Sequence, residues 1–186
     1  MRKLKLQMNI TIDGFVGREN GELDWMLTET DEKQIQYLKS ITKNTDTILL
    51  GRNMAETAIL HWQEIAESSV ENSETEFAKF FTETQKIIFS KTLKNSDAKN
   101  TTIENGALNE AIRKLKNKSG SDMIVYGGAR FVSSLLAENL IDELNLFVHP
   151  VSLGKGLSIF NAESKLKLTK SEFYNNGIVL HQYELK

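Results

Sequence analysis

The chain has 186 residues, with 23 lysines and arginines set against 25 acids and two-fifths of its residues hydrophobic. That balance suits one globular domain with a substantial core, and it argues against a dedicated nucleic-acid or membrane surface. Cysteine is absent, which excludes a disulfide framework, a thiol nucleophile and cysteine-ligated metal and fits a cytoplasmic location.

From Lys3 to Ile12, the polar Lys3, Lys5, Gln7 and Asn9 alternate with Leu4, Leu6, Met8 and Ile10. This is the period of a strand, not the continuous apolar core of a signal peptide. Asp13-Gly14 ends it, and a loop containing Gly17, Asn20 and Gly21 leads to Trp25. Ile35, Leu38 and Ile41 predict an amphipathic helix from Thr30 to about Lys43, capped by Thr30 or Asp31. Thr47-Ile48-Leu49-Leu50 reads as a short buried strand ended by Gly51-Arg52, with a short helix near Met54 to Leu60. Residues 63–73 are polar and aperiodic and read as a surface loop. Ser73 and Glu76 then suggest a capping box for a helix carrying Phe77, Phe80 and Phe81.

Lys86 to Ser90 reads as a strand, followed by the polar stretch Lys91 to Asn100 and a strand near Thr101 to Glu104. Leu108, Ala111, Ile112 and Leu115 mark a helix. Met123 to Tyr126 is an apolar run that meets Gly127-Gly128, and Val132, Leu135 and Leu136 follow at helical spacing. A strand from Asp142 to His149 comes next. The tail, Leu166 to Leu185, holds Asn176-Gly177 between two strand-like runs, a strong hairpin signal. Alternating strands and helices that end in a hairpin imply an α/β sheet with an antiparallel edge, in a single domain of residues 1–186.

The G-x-G-x-x-G fingerprint and the Gly-Lys-Ser/Thr phosphate loop are both absent. His61, His149 and His181 include no i, i+4 pair, so no metal site is expected. Two strand-to-helix turns of similar design remain, Leu50-Gly51-Arg52-Asn53-Met54 and Gly127-Gly128-Ala129-Arg130. Each could offer helix N-terminal amides to a phosphate, with an arginine suited to a bidentate contact. On spacing alone, a tight turn beside a solvated arginine fits equally well.

The stretch from Met123 to Phe160 resembles the dihydrofolate reductase superfamily, most closely its branch of riboflavin-biosynthesis reductases, the C-terminal half of the bacterial bifunctional deaminase-reductases. The likeness rests on Gly127-Gly128, Leu135-Leu136, Asp142-Glu143-Leu144 and Pro150-Val151-Ser152-Leu153-Gly154-Lys155-Gly156 in that order. Asn9 to Gly17 is similar to the opening strand of the same branch. The resemblance implies a dihydrofolate reductase-like three-layer α/β sandwich, with a mixed, mostly parallel sheet and a C-terminal antiparallel hairpin. It also implies an NADPH-dependent reductase of a small heterocycle, of the 5-amino-6-(5-phosphoribosylamino)uracil reductase or dihydrofolate reductase type. In these reductases the turn matching Gly51, Arg52, Asn53 and Met54 holds the cofactor phosphates. Ser90 and Lys91 match the residues near the adenosine phosphate. Gly127, Gly128, Ala129, Arg130 and Phe131 match the turn against the pyrophosphate and ribose. Asp13, Gly14 and Trp25 would lie on the substrate side, and Asp31 is the positional candidate for a proton donor, although an Asp there commonly caps its helix. A homodimer is compatible with the resemblance. The alternative is a non-catalytic nucleotide-binding protein on the same fold.

Overall fold

The computed structural model describes residues 1–185; Lys186, the last residue of the expected domain, lies outside the described residues. In chain order the elements are β1 (Leu4–Thr11), β2 (Phe15–Gly17), α1 (Glu32–Lys43), β3 (Thr45–Gly51), α2 (Arg52–Ala66), α3 (Ser73–Glu83) and β4 (Gln85–Phe89). They continue with β5 (Thr101–Glu104), α4 (Leu108–Lys116), β6 (Asp122–Val125), α5 (Ala129–Ala137), β7 (Glu143–His149), β8 (Leu157–Ser158), β9 (Leu166–Phe173) and β10 (Val179–Leu185).

Eight strands form one sheet in the order β5-β4-β3-β6-β1-β7-β10-β9. The pairs from β5 through β7 are parallel, and β10 runs antiparallel to both β7 and β9. The α/β sandwich with its antiparallel C-terminal edge is therefore the fold expected from the sequence. β2 and β8 add a two-stranded antiparallel ribbon that the sequence reading did not anticipate. Segments of three and two residues are too short to carry a period.

Two helix boundaries differ from expectation. α2 runs to Ala66 and does not stop near Leu60, because Ala55, Ala58, Ile59, Trp62 and Ile65 continue one apolar stripe through the polar Gln63 and Glu64. The cap of α3 is Asn72 and not Ser73. The Asn72 side chain accepts from the Glu74 and Thr75 amides at 3.0 and 2.9 Å, and Thr75 Oγ1 accepts from the Asn72 amide at 3.0 Å. A cap one residue earlier turns Thr75, Ala78 and Phe81 toward the core.

Alternation along each strand sends neighbouring residues to opposite faces. On one face Leu4, Leu6, Met8 and Ile10 of β1 join Leu49, Ile87, Met123 and Val125 beneath α4 and α5, in one continuous core. The other face carries α1, α2 and α3, and its apolar packing falls into two clusters. Ile48, Leu50, Ile88 and Ile124 pack with α2 and α3 in the first. Phe147, Leu180, Tyr174 and Ile178 pack with Leu38 of α1 in the second. Between them β1 presents Lys5, Gln7, Asn9 and Thr11, a polar seam in mid-sheet. Tyr37 of α1 spans the seam, donating its hydroxyl hydrogen to buried Asn145 Oδ1 at 2.7 Å.

Candidate active site

The chain leaves β3 outward through α2 and α3 to β4, whereas it leaves β6 through α5 to β7 on the far side of β1. Because β3 and β6 are neighbours, their connections diverge and open a crevice at their carboxyl ends, the place where open α/β sheets bind ligands. The two turns singled out in the sequence sit there: Gly51 ends β3, and Gly127-Gly128 follows β6.

The two turns also touch each other. A Cβ on Gly51 would lie 2.8 Å from Phe131 Cβ, so only glycine allows β3 to pass this close to α5. Reciprocally, the Met54 side chain stands 3.6 Å from where Cβ atoms on Gly127 and Gly128 would be. Gly128, at φ 84°, adopts a left-handed conformation that glycine takes without strain, and this turns the chain from β6 into α5. Neither Gly51 nor Gly128 caps its helix with a side chain, so the first amides of α2 and α5 are left for an external acceptor. Two uncapped helix starts, converging in a crevice and packed through glycines, suit the pyrophosphate of a dinucleotide.

Around this centre the other candidates fall in strand order along one edge. Ser90 follows β4, Thr11 ends β1 and His149 ends β7, so the edge from β4 to β7 covers four strand spacings, roughly 19 Å. That is the scale of an extended dinucleotide. Arg52 projects from the start of α2, with Nε donating to Glu56 Oε1 and a terminal nitrogen to Thr92 Oγ1, both at 2.7 Å. The guanidinium thus joins the α2 turn to the loop after β4. Ser90 Oγ accepts from the Thr92 and Leu93 amides at 3.2 and 3.0 Å and shapes that loop. Lys91 Nζ donates to the carbonyls of Asn105 and Gly106 at 2.7 Å, which holds its charge at the outer end of the edge. Asn53 and Arg130 are exposed beside the two helix starts, and Ala129 is half-buried.

The substrate-side candidates have less freedom than the sequence suggested. Asp13 is a clasp: Oδ1 accepts from Thr11 Oγ1 at 2.5 Å, and Oδ2 accepts from Ser152 Oγ and from the Leu153 and Gly154 amides at 2.8, 3.0 and 2.7 Å. The Thr11 hydroxyl leads these contacts in holding its carboxyl well below the usual range. The loop from Ser152 to Gly154 is thereby tied to the end of β1 beside Gly14. Asp31 is the N-cap of α1. Oδ1 accepts from the Lys33 and Gln34 amides at 2.8 and 3.2 Å, and Oδ2 accepts from the Asn175 amide at 2.9 Å. The Asn175 bond is the main cause that lowers its pKa. A carboxylate kept ionised by three backbone donors is a poor proton donor, so the structure gives Asp31 the capping job.

Trp25 is buried, packed edge-on against the His149 ring at 5.3 Å. Sequence reading missed His149 and Asn9 as members of the site. Their signal was the polar alternation of β1, since a central parallel strand is ordinarily apolar on both faces. Tyr126, directly before Gly127, has a buried hydroxyl without a partner among the described residues, and burial pushes its pKa up.

The fold is the dihydrofolate reductase-like α/β sandwich, shared with solved riboflavin-biosynthesis proteins. More narrowly, residues 2–180 match the RibD C-terminal domain, and the chain belongs to that family. It is 32% identical over 181 residues to YyaP, an uncharacterized protein of Bacillus subtilis, covering 96% of this chain and 92% of that one. The fold matches the diaminohydroxyphosphoribosylaminopyrimidine deaminase/5-amino-6-(5-phosphoribosylamino)uracil reductase of Thermotoga maritima, with a TM-score of 0.69 at 17% identity, over 100% of this chain and 57% of that one. It also matches a pyrimidine reductase-like protein from Corynebacterium diphtheriae, with a TM-score of 0.67 at 13% identity, over 100% and 92% of the two chains. No helix among the described residues is long and apolar enough to cross a membrane.

Proposed function

We propose that this protein is an NADPH-dependent reductase of a small heterocyclic substrate, a pteridine or a ribosylaminopyrimidine. The observation that carries the reading is the pair of uncapped helix starts meeting through Gly51 and Phe131 at the crevice between β3 and β6. In this reading the amides of α2 and α5 hold the pyrophosphate, and Arg52 adds a charge-assisted contact. Ser90 and Lys91, at the outer end, receive the adenosine phosphate, and the Lys91 ammonium favours the extra phosphate of NADPH over the bare ribose of NADH. The nicotinamide, when bound, supplies the hydride. Toward β1 and β7 the chain offers Asn9 on the α1–α3 face, a half-buried side-chain amide whose Oδ1 meets His149 and whose NH2 can donate to an acceptor on the substrate ring. The ribbon of β2 and β8 and the loop clasped by Asp13 border that end and limit the entry of water to the hydride transfer.

A non-catalytic nucleotide-binding role is favoured by one observation, the commitment of Asp31 to capping, which leaves the positional proton donor occupied. The two readings separate in one assay. Loss of reduced-nicotinamide absorbance on adding a dihydropteridine or a ribosylaminopyrimidine supports the reductase. Tight NADPH binding with no oxidation against either class supports the carrier.

A further inference from the structure

The loop between β2 and α1 crosses the carboxyl edge of the sheet, and few contacts hold it there. Between Arg18 and Met26 its hydrogen bonds close on themselves: Arg18 N to Glu22 O at 3.0 Å, Gly21 N to Arg18 O at 2.8 Å and Met26 N to Leu23 O at 3.0 Å. The Arg18–Asp24 ion pair is internal as well. An exposed ion pair from Glu19 to Lys155 reaches outside, and exposed pairs of that kind contribute little. The loop's far end is held by the turn between β9 and β10, where Asn176 Nδ2 donates to Glu29 O and the Asn175 amide to Asp31 Oδ2, both at 2.9 Å, and its Trp25 segment is tied to the sheet at His149. Nδ1 of that ring accepts the Leu27 amide hydrogen at 3.2 Å, and Nε2 faces Asn9 Oδ1 at 3.1 Å. An acceptor role at Nδ1 puts the proton on Nε2, which donates it to Asn9, so both contacts describe a single neutral tautomer. The Trp25 indole packs edge-on against the same ring, and its Nε1 has no acceptor among the described residues.

We propose that His149 is a positioning residue that fastens the Trp25 loop onto β1 and β7, so that the indole forms one wall of the pocket where nicotinamide and substrate meet. The proposal rests on the reductase reading above and deepens it. β1 lies between β6, whose end carries Gly127, and β7, whose end carries His149, so the latch sits two strands from the proposed pyrophosphate turn. Burial supports the neutral ring by drawing its pKa down to about 4, which leaves Nδ1 free as an acceptor at neutral pH. Asn9 is the orienting partner: it fixes which nitrogen faces the loop, as partners of functional histidines commonly do.

The test uses a Trp62→Phe background, in which Trp25 is the remaining tryptophan, and two readouts. Acrylamide quenching reports how well the loop shields Trp25. Calorimetric titration with NADPH, compared with 2′,5′-ADP, separates the nicotinamide end from the adenosine end. His149→Ala is expected to raise the quenching constant several-fold and weaken NADPH about tenfold while 2′,5′-ADP is unchanged. Leu27→Pro, which deletes the donated amide hydrogen at a partly exposed residue outside the apolar core, should act the same way. His149→Asn, whose side-chain oxygen can take the place of Nδ1, should restore much of the shielding. Quenching and ligand ratios in His149→Ala and Leu27→Pro that stay at the background values overturn the proposal. Equal weakening of NADPH and 2′,5′-ADP overturns it too, because that pattern marks general damage to the fold. A background protein that binds neither NADPH nor NADH refutes the reductase reading instead, and the quenching comparison still decides whether His149 holds the loop.

Discussion

The two faces of β1 were built for different purposes. Leu4, Leu6, Met8 and Ile10 are sealed into a single core beneath α4 and α5. One residue out of phase, Lys5, Gln7, Asn9 and Thr11 break the opposite face into two clusters and carry a row of polar groups toward the carboxyl edge. Stability and hydrogen-bonding chemistry thus reside on opposite faces of one strand. The sealed face supplies apolar burial, at roughly 25 cal/mol for each Å² removed from water. The divided face forgoes part of that gain at its seam and leaves hydrogen-bonding groups beside the proposed hydride-transfer end.

The sharpest way to break this contrast is to shorten adjacent residues on the two faces. Leu6→Ala, at a fully buried position, should cost about 2–5 kcal/mol in denaturant unfolding. Gln7→Ala should cost under about 1 kcal/mol. Equal losses would mean that the polar row is as tightly packed as the apolar one. Gly51→Ala comes next. Its new Cβ meets Phe131 Cβ at 2.8 Å, so α2 and α5 must part, at a stability cost of about 1–3 kcal/mol and with loss of nicotinamide-cofactor binding. Unaltered binding and melting would show that the two turns need not touch. Arg52→Ala should weaken NADPH and NADH alike by about tenfold, in line with a charge-assisted hydrogen bond. Lys91→Ala should chiefly erase the preference for NADPH.

The last contrast is in pH dependence. Burial draws the folded pKa of Lys86 down to about 8 from 10.5, and its ammonium donates to the carbonyls of Phe81, Thr82 and Thr84 at 2.9, 3.0 and 2.8 Å. Above pH 8 the unfolded chain holds a proton that the folded chain has begun to release, so stability should rise with pH toward 10. Beyond 10 the trend reverses, because burial raises Tyr37 to about 12 in the fold and the unfolded tyrosine ionises first. Lys86→Met should flatten the rise in chemical denaturation between pH 8 and 10. On the acid side, His149 at about 4 folded against 6.5 unfolded should remove stability as pH falls from 6.5 toward 4. His149→Asn should abolish that component.

Most of the fold was legible because its signals are local. The alternation of β1, the helical spacing of Val132, Leu135 and Leu136, and the Asn176-Gly177 hairpin each needed only a short window. Both glycine turns were readable for the same reason. That Gly51 abuts Phe131 was not, since contact between residues eighty positions apart depends on β6 returning beside β3. Asp13 and Asp31 mark the other limit: that Asp31 caps α1 was legible from its place before the helix, but the bonds to Ser152, Leu153, Gly154 and Asn175, more than 130 residues away, that make clasps of the two carboxylates were not. His149 went unassigned because its meaning comes from Asn9 and Leu27, which the topology brings to it. The edge of the sheet was thus readable where single turns build it, and hidden where distant loops close over it.

In the proposed reading the converging starts of α2 and α5 hold the pyrophosphate of a nicotinamide dinucleotide. Calorimetric titration of the purified protein and of Arg52→Ala with NADPH tests it most directly. Saturable 1:1 binding by the wild type, weakened about tenfold in the variant, is the expected result. No binding by the wild type, or binding that Arg52→Ala leaves unchanged, would contradict it.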